Sequence, residues 1–560
     1  MFTMLPEKLR EFYNTSPMRE GVLCWYPFRK DAYVLDISHG ALTEMLNDRC
    51  GRVATEDTGA IEQFDYIVAL DPTDFCTDAL KKLHDRLNAN GRLLLAYENP
   101  YALRYWAGKR APNTRRSYDT LFGRGETPLP SKAELQVRLN LAGFGGQKWY
   151  YPLTDHWFTT ELYSEALTPN EHLNQRFIPY ISEDGFIQFD ERSLYREVIR
   201  GGAFEFMCGA YLVEARVHVA DAPCPVDYAA ITAYREPAKR FATVVRNDGT
   251  VHKTPLHPDG LENILKIHQN HEDLTSLGVD VVKTRIEYGS LIMPRLSLPT
   301  LWDYWAAKLT YGTLDEVEMF SHFDRIYEAI QRASVKGKCY WELVPANCFY
   351  DEQSGRITFF DQEYCWDNTL PDIAVVRAIK SIDYSPVFQK QPRSGEWTKL
   401  LKNRYGLSAN WERLVEVVDS EATAEVFGRE IVAFHNRSND AAAIINRRST
   451  RTEAEASRYE RFCPVVSRLQ ELGIKNHVVY GCGTRGKTLG NVFYDNGLKG
   501  TIFIDQKSEE YKTLDDLPAG TGYDAVIVSI LHGEEIACEL RGKTQVPVYT
   551  LRELIGESIE

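Results

Sequence analysis

Short apolar runs alternate with helical spacing over the first 219 residues. Tyr33–Ile37 (YVLDI), Tyr66–Leu70 (YIVAL) and Arg92–Tyr97 (RLLLAY) have the length and character of buried strands. Between them, Gly40–Asn47 and Thr77–Asn88 carry apolar positions at helical intervals, the second ending before the turn Asn90-Gly91. Strand alternating with helix predicts a parallel α/β sheet. Pro223 and Pro225 mark a boundary. A second block, 226–440, opens with a hairpin: Phe241–Val245, the turn Asn247-Asp248-Gly249, then Thr250–Lys253. A helix is predicted at Gly260–Leu274 and most later segments are helical, an α+β pattern. Residues 441–464, with NRRSTR at Asn446–Arg451 and a polar helix from Thr452 to about Arg461, read as a linker. In 465–560, strands at Asn476–Tyr480, Thr501–Asp505, Tyr523–Ile530 and Val546–Leu551 and a helix at Gly486–Asn496 predict a small parallel sheet.

Composition narrows the function classes. The chain has 560 residues, 44% hydrophobic and 26% charged, which excludes a disordered or collagen-like chain. The formal charge is 65 − 79 = −14. A nucleic-acid backbone would be repelled by such a surface on average, so no nucleic-acid partner is expected. No apolar run reaches the ~18 residues of a membrane span, and the opening MFTMLPEKLREFY lacks a secretory layout. Eleven cysteines occur singly, as in a reducing compartment. A cytoplasmic protein is expected, with peripheral association at an inner membrane left open.

VLDISHGALTEML (34–46), FDYIVALDP (64–72), NGRLLLAYENPYALRYWAG (90–108) and YYPLTDHWFTTELYS (150–164) resemble class I S-adenosylmethionine methyltransferases, in particular methyltransferase-like proteins of bacterial surface-glycan gene clusters. The resemblance places Asp36, Gly40 and Asp71 near a cofactor. The pattern is cut down in two places. Only Ser38, His39 and Gly40 remain of the Gly-rich turn, and ten residues separate Val53 from Phe64 where the family fits a strand, a helix and another strand. Glu56 or Asp57 would replace the ribose acid. Either a methyltransferase or a fold kept as scaffold after losing its cofactor is compatible with this, and S-adenosylmethionine is a doubtful ligand.

A kinase-like phosphotransferase needs a strand lysine for the phosphates, a helix acid to hold it, a base, and an Asn and Asp for Mg²⁺. Lys253 in VHKTPL, Glu262 in GLENILKIH, Glu342 and Asn347 in WELVPANCF, and Asp361 in RITFFDQE supply one candidate each. Their order and spacing resemble protein-kinase-like and aminoglycoside-phosphotransferase-like proteins. The resemblance implies ATP and Mg²⁺, with Glu342 as base, Asn347 and Asp361 on the metal, and Lys253 held by Glu262. Glu342 stands where the family has Asp, and the turn RNDG is no Gly-rich phosphate cover. A kinase fold used only for binding is the alternative. His268, His271 and Glu272 share the same helix, where a metal pair is less expected than a solvated face.

In NHVVYGCGTRGKTLG (476–490), Gly481, Gly483 and Gly486 form GxGxxG between a strand and a helix, and Asp505 closes the next strand. This is the dinucleotide-fold pattern in its required context. The same letters satisfy the P-loop GxxxxGK[ST] through Gly481, Gly486, Lys487 and Thr488, but little chain follows for a P-loop sheet. The block resembles small Rossmann-like domains attached to sugar-modifying transferases, which implies a nucleotide or nucleotide-sugar ligand. Packing glycines without a ligand are the other reading.

The expected fold is therefore multidomain α/β and α+β: a degenerate methyltransferase-like Rossmann domain (1–219), a kinase-like domain (226–440), a helical linker (441–464) and a small Rossmann-like domain (465–560). The resemblances imply a transferase of bacterial surface-polysaccharide (O-antigen or capsule) biosynthesis acting on a sugar hydroxyl or sugar phosphate. Its partners would be a glycan or nucleotide-sugar substrate and other glycan-assembly enzymes. Two further readings stand beside it: a non-catalytic scaffold built from degenerate enzyme folds, and an active glycan methyltransferase.

Overall fold

The structure, a computed structural model, describes residues 16–55, 62–109, 118–124, 128–171, 189, 191–335, 337–384, 388, 391, 393–422, 453–498, 500–505, 522–530 and 533–555. The chain forms two compact units, one holding nearly all of residues 1–437 and the other residues 438–560. The architecture is multidomain α/β with several sheets.

The first unit is built on a twelve-stranded sheet. β1 (Tyr33–Ile37), β2 (Arg52–Ala54), β3 (Phe64–Leu70) and β4 (Leu87–Glu98) lie parallel in the order β2-β1-β3-β4. The apolar runs of the sequence are these strands: Val34, Leu35, Ile67, Val68 and Leu93–Ala96 are all buried. β5 (Gly146–Leu153), β6 (Glu161–Ser164) and β7 (Ala210–Arg216) extend the sheet in the order β4-β7-β5-β6, each antiparallel to its neighbour. Helices α1 (Thr43–Arg49), α2 (Thr77–Asp85) and α3 (Lys132–Leu141) connect these strands, and Ser131 with Glu134 closes a capping box on α3.

The sheet does not stop at the proline pair. β8 (Val226–Ile231) pairs antiparallel with β6, and β9 (Phe241–Arg246), β10 (Thr250–Pro255), β11 (Arg285–Glu287) and β12 (Ser290–Pro294) continue in the order β8-β9-β10-β12-β11. The two blocks expected as separate domains, 1–219 and 226–440, thus share one sheet. The crossing at 223–225 is held by buried side chains. Glu214, with no exposed side-chain surface, accepts from the Cys224 N–H (3.1 Å), the Tyr26 hydroxyl (2.8 Å) and Arg92 Nη1 (3.1 Å). Lys148 Nζ donates to the carbonyls of Cys224 (2.9 Å) and Val226 (2.8 Å) and to Asp227 Oδ1 (2.9 Å). Buried backbone carbonyls need donors, and here the lysine ammonium supplies them.

Helix α4 (Gly260–Ser276) lays Ile264 and Ile267 against Phe241, Leu291 and Met293 of the sheet. A helical lobe follows. In α5 (Leu301–Thr310), α6 (Glu316–Ala333) and α7 (Asp372–Tyr384), buried positions such as Met319, Phe323, Ile326 and Ile330 recur at helical spacing and meet Trp305, Trp341 and Ile379. Between α6 and α7 lie the small pairs β13 (Lys338–Cys339) with β16 (Trp366–Asp367), and β14 (Cys348–Asp351) with β15 (Arg356–Phe359).

In the second unit, helix α8 (Glu453–Glu471) precedes β17 (Asn476–Tyr480), α9 (Thr484–Asp495), β18 (Gly500–Ile504), β19 (Ala525–Val528), α10 (Glu534–Arg541) and β20 (Val548–Thr550). The four strands are parallel in the order β18-β17-β19-β20. Residues 453–464, expected as linker, belong to this unit: Tyr459, Phe462, Val465, Val466 and Leu469 of α8 enter its core. Residues 441–452 lie outside the described residues. Among the described residues, no helix is long and apolar enough to cross a membrane.

Removing one partner of a buried ion pair strands the other, so Glu214→Ala is expected to lower stability by about 3–5 kcal/mol. Urea denaturation of the full chain checks this; an unchanged midpoint would show that the crossing is held by other contacts.

Candidate functional site

β10 exposes little of its inner face, and Lys253 is its one buried position. Its ammonium reaches Asp361 Oδ1 at 2.6 Å and Glu363 Oε2 at 3.2 Å, and lies 5.0 Å from the centre of the Phe241 ring. Burial alone would lower the lysine pKa; the carboxylates of Asp361 and Glu363 outweigh it and hold the pKa above the ordinary value. Asp361 sits just past β15 with φ of +54°, a left-handed backbone that turns the chain out of the strand. Its side chain is 40% exposed. Burial tends to raise its pKa, and the neighbouring Lys253 and Arg235 cations bring it below the ordinary carboxylate value.

Glu342 is buried on the loop before the β14–β15 hairpin. Its Oε2 accepts the Glu363 N–H at 3.0 Å, and Oε1 lies 3.9 Å from Arg377 Nη2. Burial, then the charges of Asp361 and Glu363, push its pKa up to about 8 against Arg377 and Lys253. Asn347 is tied by its backbone, N–H to the Val344 carbonyl (3.0 Å) and carbonyl to the Phe360 N–H (2.9 Å), which anchors the loop next to Asp361. Asn347 is half-buried, and its amide makes no side-chain hydrogen bond among the described residues.

All five candidates for phosphotransfer lie on elements that meet, but the side chain of one is turned away from the site. Glu262 is exposed on the first turn of α4 and does not reach Lys253. The buried face of α4 carries Ile264, Ile267, Asn270, His271 and Leu274, with no acid among them. Lys253 takes its second carboxylate from Glu363 instead. The RNDG turn keeps the hairpin position that its pattern predicts. The strand preceding β9 is β8, so the connection 232–240, carrying Arg235, lies next to the site, while Asn247–Gly249 is the turn between β9 and β10. The His268–His271 pair diverges: His268 Nδ1 meets Thr284 Oγ1 (2.7 Å), and buried His271 meets the Val282 carbonyl (2.9 Å). No metal-binding group of three or more His, Cys, Asp or Glu side chains occurs among the described residues.

In the first part of the sheet, Asp36 is engaged locally. Its Oδ1 accepts the Ser38 N–H (2.8 Å) and its Oδ2 the Thr43 hydroxyl (2.5 Å), which closes the shortened turn onto α1. Gly40, with φ of +84°, completes that turn. Asp71 faces the fully buried His156, with Oδ2 2.8 Å from Nε2. Burial would lower the His156 pKa, but Asp71 and Asp155 raise it above the ordinary value. β2 is three residues long, and Glu56 and Asp57 lie outside the described residues.

In the second unit, the glycine loop joins β17 to α9 as its pattern requires. Gly481 has φ of +94°, and a Cβ on Gly486 would stand 1.9 Å from the Gly481 carbonyl oxygen. Gly483 has nothing within 4 Å of its Cβ position. Packing thus accounts for two glycines and leaves the middle one facing open space. Asp505 turns inward, Oδ2 accepting the Cys482 N–H at 2.8 Å. The Thr488 hydroxyl donates to the Thr484 carbonyl one turn back (2.8 Å), which is not how a P-loop threonine faces a metal.

Glu363, Arg235, Arg377 and His156 were not singled out from the sequence. Only Glu363 carries a signal there, an acid two residues after Asp361.

No family model matches this sequence, and no curated protein matches it. Among solved structures, a chain described as WaaP in complex with acyl carrier protein shows a partial similarity. It covers 37% of this chain and 87% of that chain, at 11% identity and a TM-score of 0.23.

Two outcomes are expected. Glu342 has a folded pKa near 8 against an ordinary 4.5, so its protonated form favours the folded state. That contribution is complete below pH about 4.5 and is lost as pH rises through about 8. Glu342→Gln, which cannot ionise, should gain stability relative to the parent across this window, read as urea midpoints at about pH 5, 6.5 and 8; a difference independent of pH would contradict it. In the second unit, Gly486→Ala should destabilise the fold by about 3 kcal/mol or more, the upper end of ordinary substitutions, whereas Gly483→Ala should leave it intact. Equal melting temperatures for the two variants would show that the loop is not packed as described.

Proposed function

We propose that the middle of the chain is a Mg·ATP-dependent phosphotransferase site acting on a sugar hydroxyl or sugar phosphate. The observation that supports it best is the contact of Lys253 Nζ with Asp361 Oδ1 at 2.6 Å, 108 residues apart, in an order of strands, helix and loop that a phosphotransferase requires. The donor set fits a hard cation: a half-exposed carboxylate and an amide whose oxygen is not engaged by a described neighbour. Asp361 and Asn347 would hold Mg²⁺, which supplies charge neutralisation at the phosphates. Lys253 orients the non-transferred phosphates. Glu342 accepts the hydroxyl proton once ionised, so transfer should rise as pH passes about 8. The glycan context rests on the sequence resemblances.

A non-catalytic scaffold is the second reading, favoured by the burial of Glu342 and its bond to the Glu363 amide. A methyltransferase is disfavoured, because both oxygens of Asp36 and one of Asp71 are engaged by the protein itself.

Titration calorimetry separates these readings. Mg·ATP should bind the parent chain, and Asp361→Asn should weaken binding by about tenfold or more, since that carboxylate reaches the phosphates through the metal. S-adenosylmethionine, titrated in parallel, should give no binding heat. Mg·ATP binding unaffected by Asp361→Asn would remove the phosphotransferase reading, and bound Mg·ATP without transfer at any pH would leave the scaffold.

A further inference from the structure

We infer that Glu363 is the positioning residue of this site: its carboxylate holds two cations, Lys253 from β10 and Arg235 from the β8–β9 connection, as a clamp for the phosphates of ATP. This rests on the phosphotransferase reading above and assigns to Glu363 the anchoring role that the sequence pattern gives to Glu262.

The geometry is direct. Glu363 Oε2 lies 3.2 Å from Lys253 Nζ and 3.0 Å from Arg235 Nη1, which also reaches Oε1 at 3.3 Å. The side chains of Lys253 and Glu363 are 4% and 5% exposed. No acid of α4 competes for Lys253. Glu262 and Glu272 are exposed, and Asp273 is engaged by Lys338 at 2.7 Å and by the Tyr340 hydroxyl at 3.3 Å. Glu363 is itself fixed relative to the proposed base, because its N–H donates to Glu342 Oε2.

Charge gives the two acids beside Lys253 different tasks. Asp361 is exposed enough to turn towards a metal-bound phosphate, and Glu363 is not. When Asp361 turns away, a buried ammonium must keep a counter-ion, and Glu363 is the carboxylate that remains. The connection 232–240 (TAYREPAKR) contains no glycine. It cannot cradle phosphate closely through bare backbone as a Gly-rich loop does, so a cationic side chain on it has to serve. Arg235 is that side chain, and its guanidinium is held by the carboxylate through Nη1, which donates to both oxygens.

The test is Mg·ATP binding to full-length variants by titration calorimetry, read as both dissociation constant and number of competent sites. Removing a negative charge beside a phosphate site would by itself tighten binding; releasing two positioned cations weakens it, so the sign of the change discriminates. Glu363→Gln is expected to raise the dissociation constant about tenfold with the site number unchanged, and Glu363→Asp to recover part of it. Glu262→Gln should bind as the parent does. Should Glu363→Gln not fold, Arg235→Lys, which keeps the charge and loses the fork, should raise the constant about fivefold. Unchanged or tighter binding by Glu363→Gln, a loss in Glu262→Gln instead, or fewer sites at the parent's affinity would each overturn the inference while leaving the phosphotransferase reading in place. A parent chain that does not bind Mg·ATP, or binds it independently of Asp361, would remove that reading and the inference with it.

Discussion

Ionisable groups packed side by side must answer one another, and the middle of this chain gathers six: Lys253, Arg235 and Arg377 with Asp361, Glu363 and Glu342. Counted by formal charge the cluster is neutral. It does not remain so at neutral pH, because the pKa of Glu342 is pushed up to about 8 by burial and by its acidic neighbours. His271, beside the same cluster, has its pKa lowered by burial, which favours its neutral form, and does not add to this surplus. Three cations then face two ionised carboxylates. A buried cluster with surplus positive charge favours an anion as its neighbour.

The cluster depends on strand registers fixed far from it. Lys253 stands opposite Thr243 on β9 and Leu291 on β12, and β9 in turn pairs with β8, whose place is set by β6 and by the clamps of Lys148 and Glu214 at the crossing. A slip of one residue along β10 would turn Lys253 to the opposite face of the sheet. The first part of the sheet therefore contributes to the site without touching it, by giving β8 a neighbour on the side away from β9. The strands β1–β7 are thus structurally used by the part of the sheet that carries Lys253.

The elements legible from sequence were those with strong local signals. The apolar runs at β1, β3 and β4, the hairpin at Asn247–Gly249 and the strand–glycine–helix of β17 and α9 stand where their patterns place them. β8 was missed because VDYAAI has no turn signal before it beyond the two prolines, which read as a break between domains. Tertiary contacts decided otherwise, since Lys148, whose ammonium satisfies the crossing's carbonyls, comes from a strand remote in sequence. The assignment of Glu262 followed spacing along the helix, but a helix shows only one face to the sheet, and Glu262 lies on the other. Arg235 lies in an aperiodic loop, where sequence offers no means of telling which way a side chain turns. Residues 453–464 looked polar enough for a linker, although Tyr459 and Phe462 already held the start of a core-facing stripe.

The acids proposed from sequence differ most usefully in what satisfies them. Asp36 gives both oxygens to its own turn, Asp71 is held by a buried histidine, and Asp505 accepts an amide of its own glycine loop. Each of these contacts uses a neutral local donor or a buried ring that fixes the carboxylate in place, and a ligand would have to break it without replacing the geometry it supports. Asp361 is bound by the end of a lysine side chain that keeps a second carboxylate when the first leaves. Exchanging that contact for a cation and a phosphate leaves no buried charge unpaired. By this criterion, which depends on what remains after a bond is given up rather than on motif letters, Asp361 is the acid among the four best able to turn towards a ligand.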